Sequence, residues 1–228
     1  MCSSDLGSMI VDLEDAVTLI GGGPIVAELL TLGIAAAPRI VAADGGADDV
    51  LAAGLSPVAI IGDMDSLAPA ARTAFADRLY HIPEQETTDF EKCLTRIAAP
   101  LVIGVGFLGG RMDHSLASLN VLARHRDRAV ILLSEADVCC VVPEMGLRLS
   151  LPAGMRVSLL PLGAAMLWTE GLRWDVDGAE MAPDGFISIS NEVAGEVRVR
   201  AKGPVLLAVP LEGFASVLSS VQAAFRAK

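Results

Sequence analysis

The sequence predicts an α/β fold in two parts: a mostly parallel N-terminal sheet with helices on both faces, then an antiparallel β domain of the sandwich or barrel type. Three observations carry this prediction. Apolar runs alternate with helical patterns through the first half, as in chains that wind helices around a parallel sheet. From about Val138 the helical windows give way to short alternating runs, separated by Gly154, Gly163, Gly171, Gly178, Gly185, Gly195 and Gly203. That rhythm is the turn spacing of antiparallel β structure. The composition is aliphatic, 53% apolar with only 4% aromatic residues, which suits buried parallel strands. With 228 residues the chain is long enough to bury a substantial core without disulfide or metal support.

Taken in order, Val17–Ile20 reads as a strand, followed by Gly21, Gly22 and Gly23, with Pro24 opening a helix that runs to about Leu32. Arg39–Ala43 is the next strand and ends at Asp44-Gly45-Gly46. A helix follows to about Ala53, stopped by Gly54. Val58–Ile61, Leu101–Val105 and Ala129–Leu133 are three further strands. Helices are predicted from about Asp89 to Ala98 and from about Asp113 to His125. In the second half Leu147, Leu149 and Leu151 alternate with polar residues, as do Val197 and Val199, and Phe214 to Phe225 has a helical amphipathic pattern. The change of pattern divides the chain into residues 9–137 and 138–228.

The net charge of −11 argues against nucleic acid as a partner, because the cationic surface that gains from counterion release is missing. No apolar run is long enough to span a membrane. Met1–Ser8 has neither a basic region nor an apolar core, so it does not read as a signal peptide, and Gly7-Ser8 before Met9 reads as an expression scar. Cys2, Cys93, Cys139 and Cys140 form no C-x-x-C pair. All four are expected to be reduced thiols, as in a cytoplasm.

Ligands of open parallel sheets bind beyond the carboxyl ends of the strands. The segments placed there are Gly21-Gly22-Gly23, Asp44-Gly45-Gly46, Gly62-Asp63-Met64-Asp65-Ser66 and Gly109-Gly110-Arg111-Met112-Asp113-His114. Glycines let backbone N–H groups approach phosphate oxygens, although tight turns also need glycine. Asp63 and Asp65, two apart in an extended segment, would point to one side. Paired carboxylates of this kind suit Mg²⁺, or alternatively a solvated turn. Thr88-Asp89-Phe90-Glu91 has the form of a capping box. That explains Thr88 and Glu91 but does not require Asp89, which is a candidate third carboxylate. Lys92 is placed to face a phosphate, and Arg111 suits a bidentate phosphate contact. His114 reads as structural or ligand-contacting. No Walker-type loop, zinc spacing or G-x-S-x-G element is present.

In this order, Ala43-Asp44-Gly45-Gly46-Ala47, Gly62-Asp63-Met64-Asp65-Ser66, Thr88-Asp89-Phe90-Glu91-Lys92 and Gly109-Gly110-Arg111-Met112-Asp113-His114 resemble the thiamine pyrophosphokinase family. Gly171-Leu172-Arg173-Trp174 and Ser188-Ile189-Ser190-Asn191-Glu192 resemble that family's G-L-K-W and T-S-N-E segments. The resemblance runs from about Ile20 to Val209. It implies an α/β nucleotide-binding domain, a C-terminal β-sandwich, Mg²⁺, ATP as co-substrate and thiamine as acceptor, in a cytoplasmic homodimer with the site between subunits. It implies metal ligands at Asp63, Asp65 and Asp89, with Arg111 beside them in catalysis. The ATP site would be lined by Gly23, Asp44, Gly45, Gly46, Lys92, Gly110, Arg111, Asp113 and His114. Gln85, Thr88, Trp174, Ser190 and Asn191 would contact thiamine. Asp48, Met64 and Ser118 stand where the family commonly has Asn, Phe and Asn. Read from the residues alone, Trp174 would be a core tryptophan, and an ATP or thiamine sensor or a pyrophosphokinase for another heterocyclic alcohol stands as the alternative.

Overall fold

The computed structural model describes residues 8–226; Cys2 and Gly7 of the expected scar lie outside them. The chain divides into two compact units, up to Ser118 and from Leu119. The first unit contains β1 (Val11–Asp12), β2 (Val17–Ile20), α1 (Ala27–Ala36), β3 (Arg39–Ala43), α2 (Gly46–Ala52), β4 (Ala59–Gly62), α3 (Pro69–Ala74), β5 (Leu79–His81), α4 (Asp89–Leu94), β6 (Ile97–Ala98) and β7 (Val102–Val105). Helix α5 (Met112–Arg124) carries the boundary.

In the first unit β7, β2, β3, β4 and β5 lie side by side in that order, all parallel. β2, β4 and β7 are buried along their whole length. Unbroken apolar runs give strands covered on both faces. Ile20, Ile40, Ala42 and Ile60 pack with Val50 of α2 and with Met64, Leu67, Ala71 and Phe75. Because β2 has β3 on one side and β7 on the other, the strand order reverses at its carboxyl end, where such sheets open a crevice.

Some elements differ from expectation. Helix α1 begins at Ala27, not Pro24, and continues to Ala36. Pro24 follows Gly23, whose N–H is taken by Gly106 O at 2.9 Å, so the chain is still in a loop there. The helix expected to reach Ala98 stops at Leu94, because Ile97 and Ala98 form a parallel ribbon with Val11 and Asp12. Helix α3 and the edge strand β5 were not anticipated. Pro69 at the first turn of α3 was an available signal.

The second unit contains β8 (Val130–Leu133), β9 (Asp137–Val141), β10 (Leu147–Leu149), β11 (Arg156–Pro161), β12 (Ala165–Leu172), β13 (Asp177–Met181), β14 (Ser188–Lys202), β15 (Val205–Pro210) and α6 (Phe214–Arg226). Its strands pair antiparallel in the order β13-β12-β14-β11-β15-β9-β8, with β10 also on β14. The 15-residue β14 serves two sheets: Ser188–Glu192 pairs with β11, and Val193–Lys202 pairs with β12. The alternating Val197 and Val199 and the Ser188–Glu192 segment therefore belong to one strand. Helix α6 docks on β10 through Ser216 and Ser220, whose hydroxyls accept the N–H groups of Ser150 and Arg148 at 2.8 and 2.9 Å.

Candidate active site

β3 and β4 pair in parallel register, so the loops that follow them open next to each other. Asp44 is the first residue past β3, and its N–H still bonds Ile61 O at 3.1 Å. Its backbone then turns into the left-handed region, φ 41°, which Asp tolerates better than most residues. Gly62 permits the approach: a Cβ there would lie 2.7 Å from Asp44 Cβ.

Asp63 and Asp65 were expected to share a side of an extended segment. They share a turn instead. Met64 between them has φ 65°, and its side chain is buried with Leu67, Ala71 and Phe75. Asp65 N–H donates to Asp63 Oδ1 at 3.3 Å, and Arg72 Nη2 of α3 donates to Met64 O at 2.6 Å. An apolar anchor below and an arginine clamp hold the two acids outward. Arg72 escaped the sequence reading because the helix carrying it was not foreseen.

One oxygen from each of Asp44, Asp63 and Asp65 lies within 4.8 Å of the other two. Asp44 is 2% exposed. Its Oδ2 accepts from Ser66 N–H at 3.1 Å, while its Oδ1 is buried without a hydrogen-bond partner. An unpaired buried carboxylate oxygen is unfavourable, and a cation among three carboxylates would satisfy it. The donors are all hard oxygens, so the residues present fit Mg²⁺.

Lys92 occupies the far side of Asp63. It is 2% exposed, and its Nζ donates to Asp63 Oδ2 at 2.9 Å and to Asp89 Oδ1 at 3.1 Å. The ammonium expected to face a phosphate is thus committed to two carboxylates. Asp89 meets Lys92, one step out from the oxygens that converge. Gln85 Nε2 also donates to Asp63 Oδ2, at 2.8 Å. Glu84 ties down the loop that carries Gln85, accepting from the N–H groups of Glu86 and Thr87 at 2.8 and 3.0 Å and from the Thr87 hydroxyl. Thr88 caps α4 as expected, its Oγ1 accepting Glu91 N–H at 3.3 Å.

These neighbours separate the acids electrostatically. The Lys92 hydrogen bond, helped by Gln85, holds Asp63 down at about 2. Burial pushes Asp44 up to about 6, reinforced by the charges of Asp89 and Asp63 and offset in part by Ser66. Burial also raises Asp89, against the opposing pull of Lys92. A pH dependence follows. Between the unperturbed carboxylate value of 3.8 and about 6, the folded protein binds the Asp44 proton more tightly than the unfolded chain does. Stability of the cation-free protein therefore falls as pH rises through that window, by about 3 kcal/mol at most from Asp44. Urea unfolding in EDTA at pH 5 and pH 7 is expected to show this slope, and Asp44→Asn is expected to flatten it. An unchanged slope in Asp44→Asn would assign it to other groups.

The glycine loops and the second unit contain the remaining candidates. Gly23 packs on Gly106, where a Cβ at 23 would meet the Gly106 carbonyl at 2.6 Å; close backbone packing accounts for this glycine. Gly45 and Gly46 lead from Asp44 into α2. Gly110 has φ 62° and precedes Arg111, which forms an exposed pair with Asp113 through Nε at 3.1 Å and Nη2 at 2.6 Å. His114 N–H caps the same carboxylate at 3.0 Å. In the second unit Trp174 is 54% exposed, not a core residue. Buried Asn191 holds its backbone from both sides, accepting Trp174 N–H at 3.1 Å and donating to Trp174 O at 2.8 Å. Arg173 lies 4.7 Å from the ring centroid and pairs with Glu192 at 2.9 Å. Ser190 adopts φ 56° at a bulge facing Ser158, whose hydroxyl accepts Ser190 N–H at 3.2 Å.

Cys93, Cys139 and Cys140 are free and buried, and burial raises all three thiols. Among the described residues no helix is long and apolar enough to cross a membrane.

Comparison with known proteins gives a consistent result. Residues 31–133 match the family model "Thiamin pyrophosphokinase, catalytic domain", and residues 146–206 match "Thiamin pyrophosphokinase, vitamin B1 binding domain". Thiamine pyrophosphokinase 1 of Oryza sativa subsp. japonica is 31% identical over 176 residues, covering 68% of this chain and 66% of that protein. Thiamine pyrophosphokinase 2 of Arabidopsis thaliana is 34% identical over 164 residues, covering 62% and 60%. The chain thus spans slightly under two thirds of the length of these plant relatives. The solved thiamin pyrophosphokinase from Candida albicans superposes with a TM-score of 0.72 at 18% identity, covering 92% of this chain and 97% of that one. That from Geobacillus thermodenitrificans also gives 0.72, at 24% identity over 86% and 96%. These structures share the fold.

Proposed function

Because the chain belongs to the thiamin pyrophosphokinase family, we propose that it transfers a diphosphoryl group from ATP to the hydroxyl of thiamine, giving thiamine diphosphate and AMP. The observation that supports this most directly is the convergence of Asp44, Asp63 and Asp65 around an unpartnered, buried Asp44 Oδ1. It lies within the segment that matches the family's catalytic domain. Asp44, Asp63 and Asp65 would hold Mg²⁺, which when bound neutralises the charge of the ATP phosphates. Phosphoryl transfer depends mainly on positioning and on balancing oxyanion charge. The residues around the cluster divide that work. Lys92 and Gln85 keep Asp63 ionised and aimed, and Arg72 fixes the turn. Arg111, exposed at the start of α5, would exchange Asp113 for a phosphate, with Gly110, Asp113 and His114 shaping that end of the nucleotide site beside Gly23, Gly45 and Gly46. Asp89, raised by burial and touching Lys92, would orient the acceptor hydroxyl or add to the metal site.

Gln85 and Thr88 of one subunit, and Trp174, Ser190 and Asn191 of its partner, would contact thiamine. Trp174 offers an exposed flat face, and cation–π attraction to a thiamine ring contributes roughly 1–2 kcal/mol when desolvated. The reading includes a cytoplasmic homodimer with thiamine held between subunits. The test is incubation of the purified protein with ATP, Mg²⁺ and thiamine, with products separated by chromatography. Thiamine diphosphate together with AMP is expected. ADP with thiamine monophosphate would overturn diphosphoryl transfer, and absence of any thiamine product would overturn the acceptor.

A further inference from the structure

The second unit carries a groove formed by β10, β12 and β14 and lined by three arginines and two acids, none of which has a part in the transfer proposed above. Antiparallel register places Arg148 opposite Arg198, Arg198 opposite Glu170, and Arg200 opposite Trp168. Alternation buries Leu147, Leu149, Leu167, Val197 and Val199 and turns the charged residues outward. They line a groove of about 530 Å³, to which Met145, Leu147, Val176, Val199 and the partly buried Trp168 contribute apolar surface.

The charge on this face is unusual for this chain, which has 28 acids and 17 bases. Like charges directly opposite in an antiparallel pair repel, and Arg148 with Arg198 is such a pair. Arg198 is partly compensated by Glu196 at 3.3 Å and Glu170 at 3.6 Å. Arg148 and Arg200 form no ion pair among the described residues. Arg200 instead lies over the Trp168 ring, 5.2 Å from its centroid. At the other strand edge Gly178, with φ 71°, leaves the indole uncrowded; a Cβ there would come within 3.3 Å of Trp168 Nε1.

We propose that this groove binds a short polyphosphate-bearing anion, with Arg148, Arg198 and Arg200 taking phosphate oxygens and Trp168 forming the wall beside them. Guanidinium forks match phosphate oxygens in pairs, and one anion bridging Arg148 and Arg198 removes their repulsion. Glu170 and Asp177 share the lining and disfavour an extended polyanion, which selects a compact diphosphate or triphosphate group.

The protein has two tryptophans, Trp168 and Trp174, so Trp174→Phe leaves Trp168 as the sole indole reporter. That variant is titrated with inorganic pyrophosphate in EDTA at constant ionic strength, followed by emission and by calorimetry. EDTA withholds the divalent cation that the carboxylate cluster would need to hold the anion, and adding Asp65→Asn is expected to leave the titration unchanged. The expected result is saturable binding that weakens about tenfold in Arg148→Gln and again in Arg200→Gln, with far-ultraviolet circular dichroism unchanged. Absence of both heat and emission change, an equal response to sodium chloride, or an affinity indifferent to the arginine substitutions would overturn the proposal.

Discussion

Asp65→Asn is expected to lower the rate of diphosphoryl transfer by about two to three orders of magnitude while leaving stability within about 0.5 kcal/mol of the parent protein. Asp65 is exposed, and its carboxylate accepts one side-chain hydrogen bond, from Ser66 Oγ at 2.9 Å. The turn that presents it rests on Met64 and Arg72, which the substitution does not touch. What disappears is one negative charge from a cluster of three, so the Mg²⁺ concentration for half-maximal rate should rise together with the loss of kcat. Steady-state kinetics across a Mg²⁺ series, beside a urea unfolding curve, separates the two effects. A rate near that of the parent would remove Asp65 from the metal site and leave Asp44 and Asp63 to form it.

Lys92→Met has the largest expected effect on folding. The ammonium lies between two carboxylates, with Lys92 2% exposed, Asp63 11% and Asp89 36%. Removing it leaves a nearly buried anion without its cation, and changes of this kind cost about 3–5 kcal/mol; partial exposure of Asp89 favours the lower end. The pH dependence identifies the cause. Without Lys92 the group that held Asp63 down at about 2 is gone, and its pKa rises. The stability that a depressed carboxylate provides is present above its unfolded value of 3.8 and fades as pH falls toward 2. The gap between variant and parent should therefore be widest at neutral pH and shrink below 3.8. A urea midpoint matching the parent at pH 7 would mean that solvent already screens the pair.

The sequence reading placed most strands of the first unit within a residue or two, because an apolar run ending in glycine and aspartate is a local pattern. It placed α5 and α6 equally well from helical periodicity and end signals. It failed where an element owes its form to a partner. Ile97 and Ala98 are a strand because Val11 and Asp12 lie beside them, and β5 is three residues added to the edge next to β4. Trp174 could not be told from a core tryptophan by pattern, since its exposure depends on Asn191, 17 residues away, holding its backbone at the surface.

What the sequence determined by itself is the chemistry available and its position along the chain. Acids and glycines follow the parallel strands, where a sheet of this kind opens to a ligand, and their order identifies the family. Only the tertiary structure decided how the acids differ. β3 and β4 in register bring Asp44 against Gly62, bury its Oδ1 without a partner and raise its pKa. Lys92, 29 residues from Asp63 in sequence, closes on it and lowers that acid instead. Burial and charge pairing are sums over neighbours in space, and those neighbours come from separate elements whose meeting no local pattern encodes.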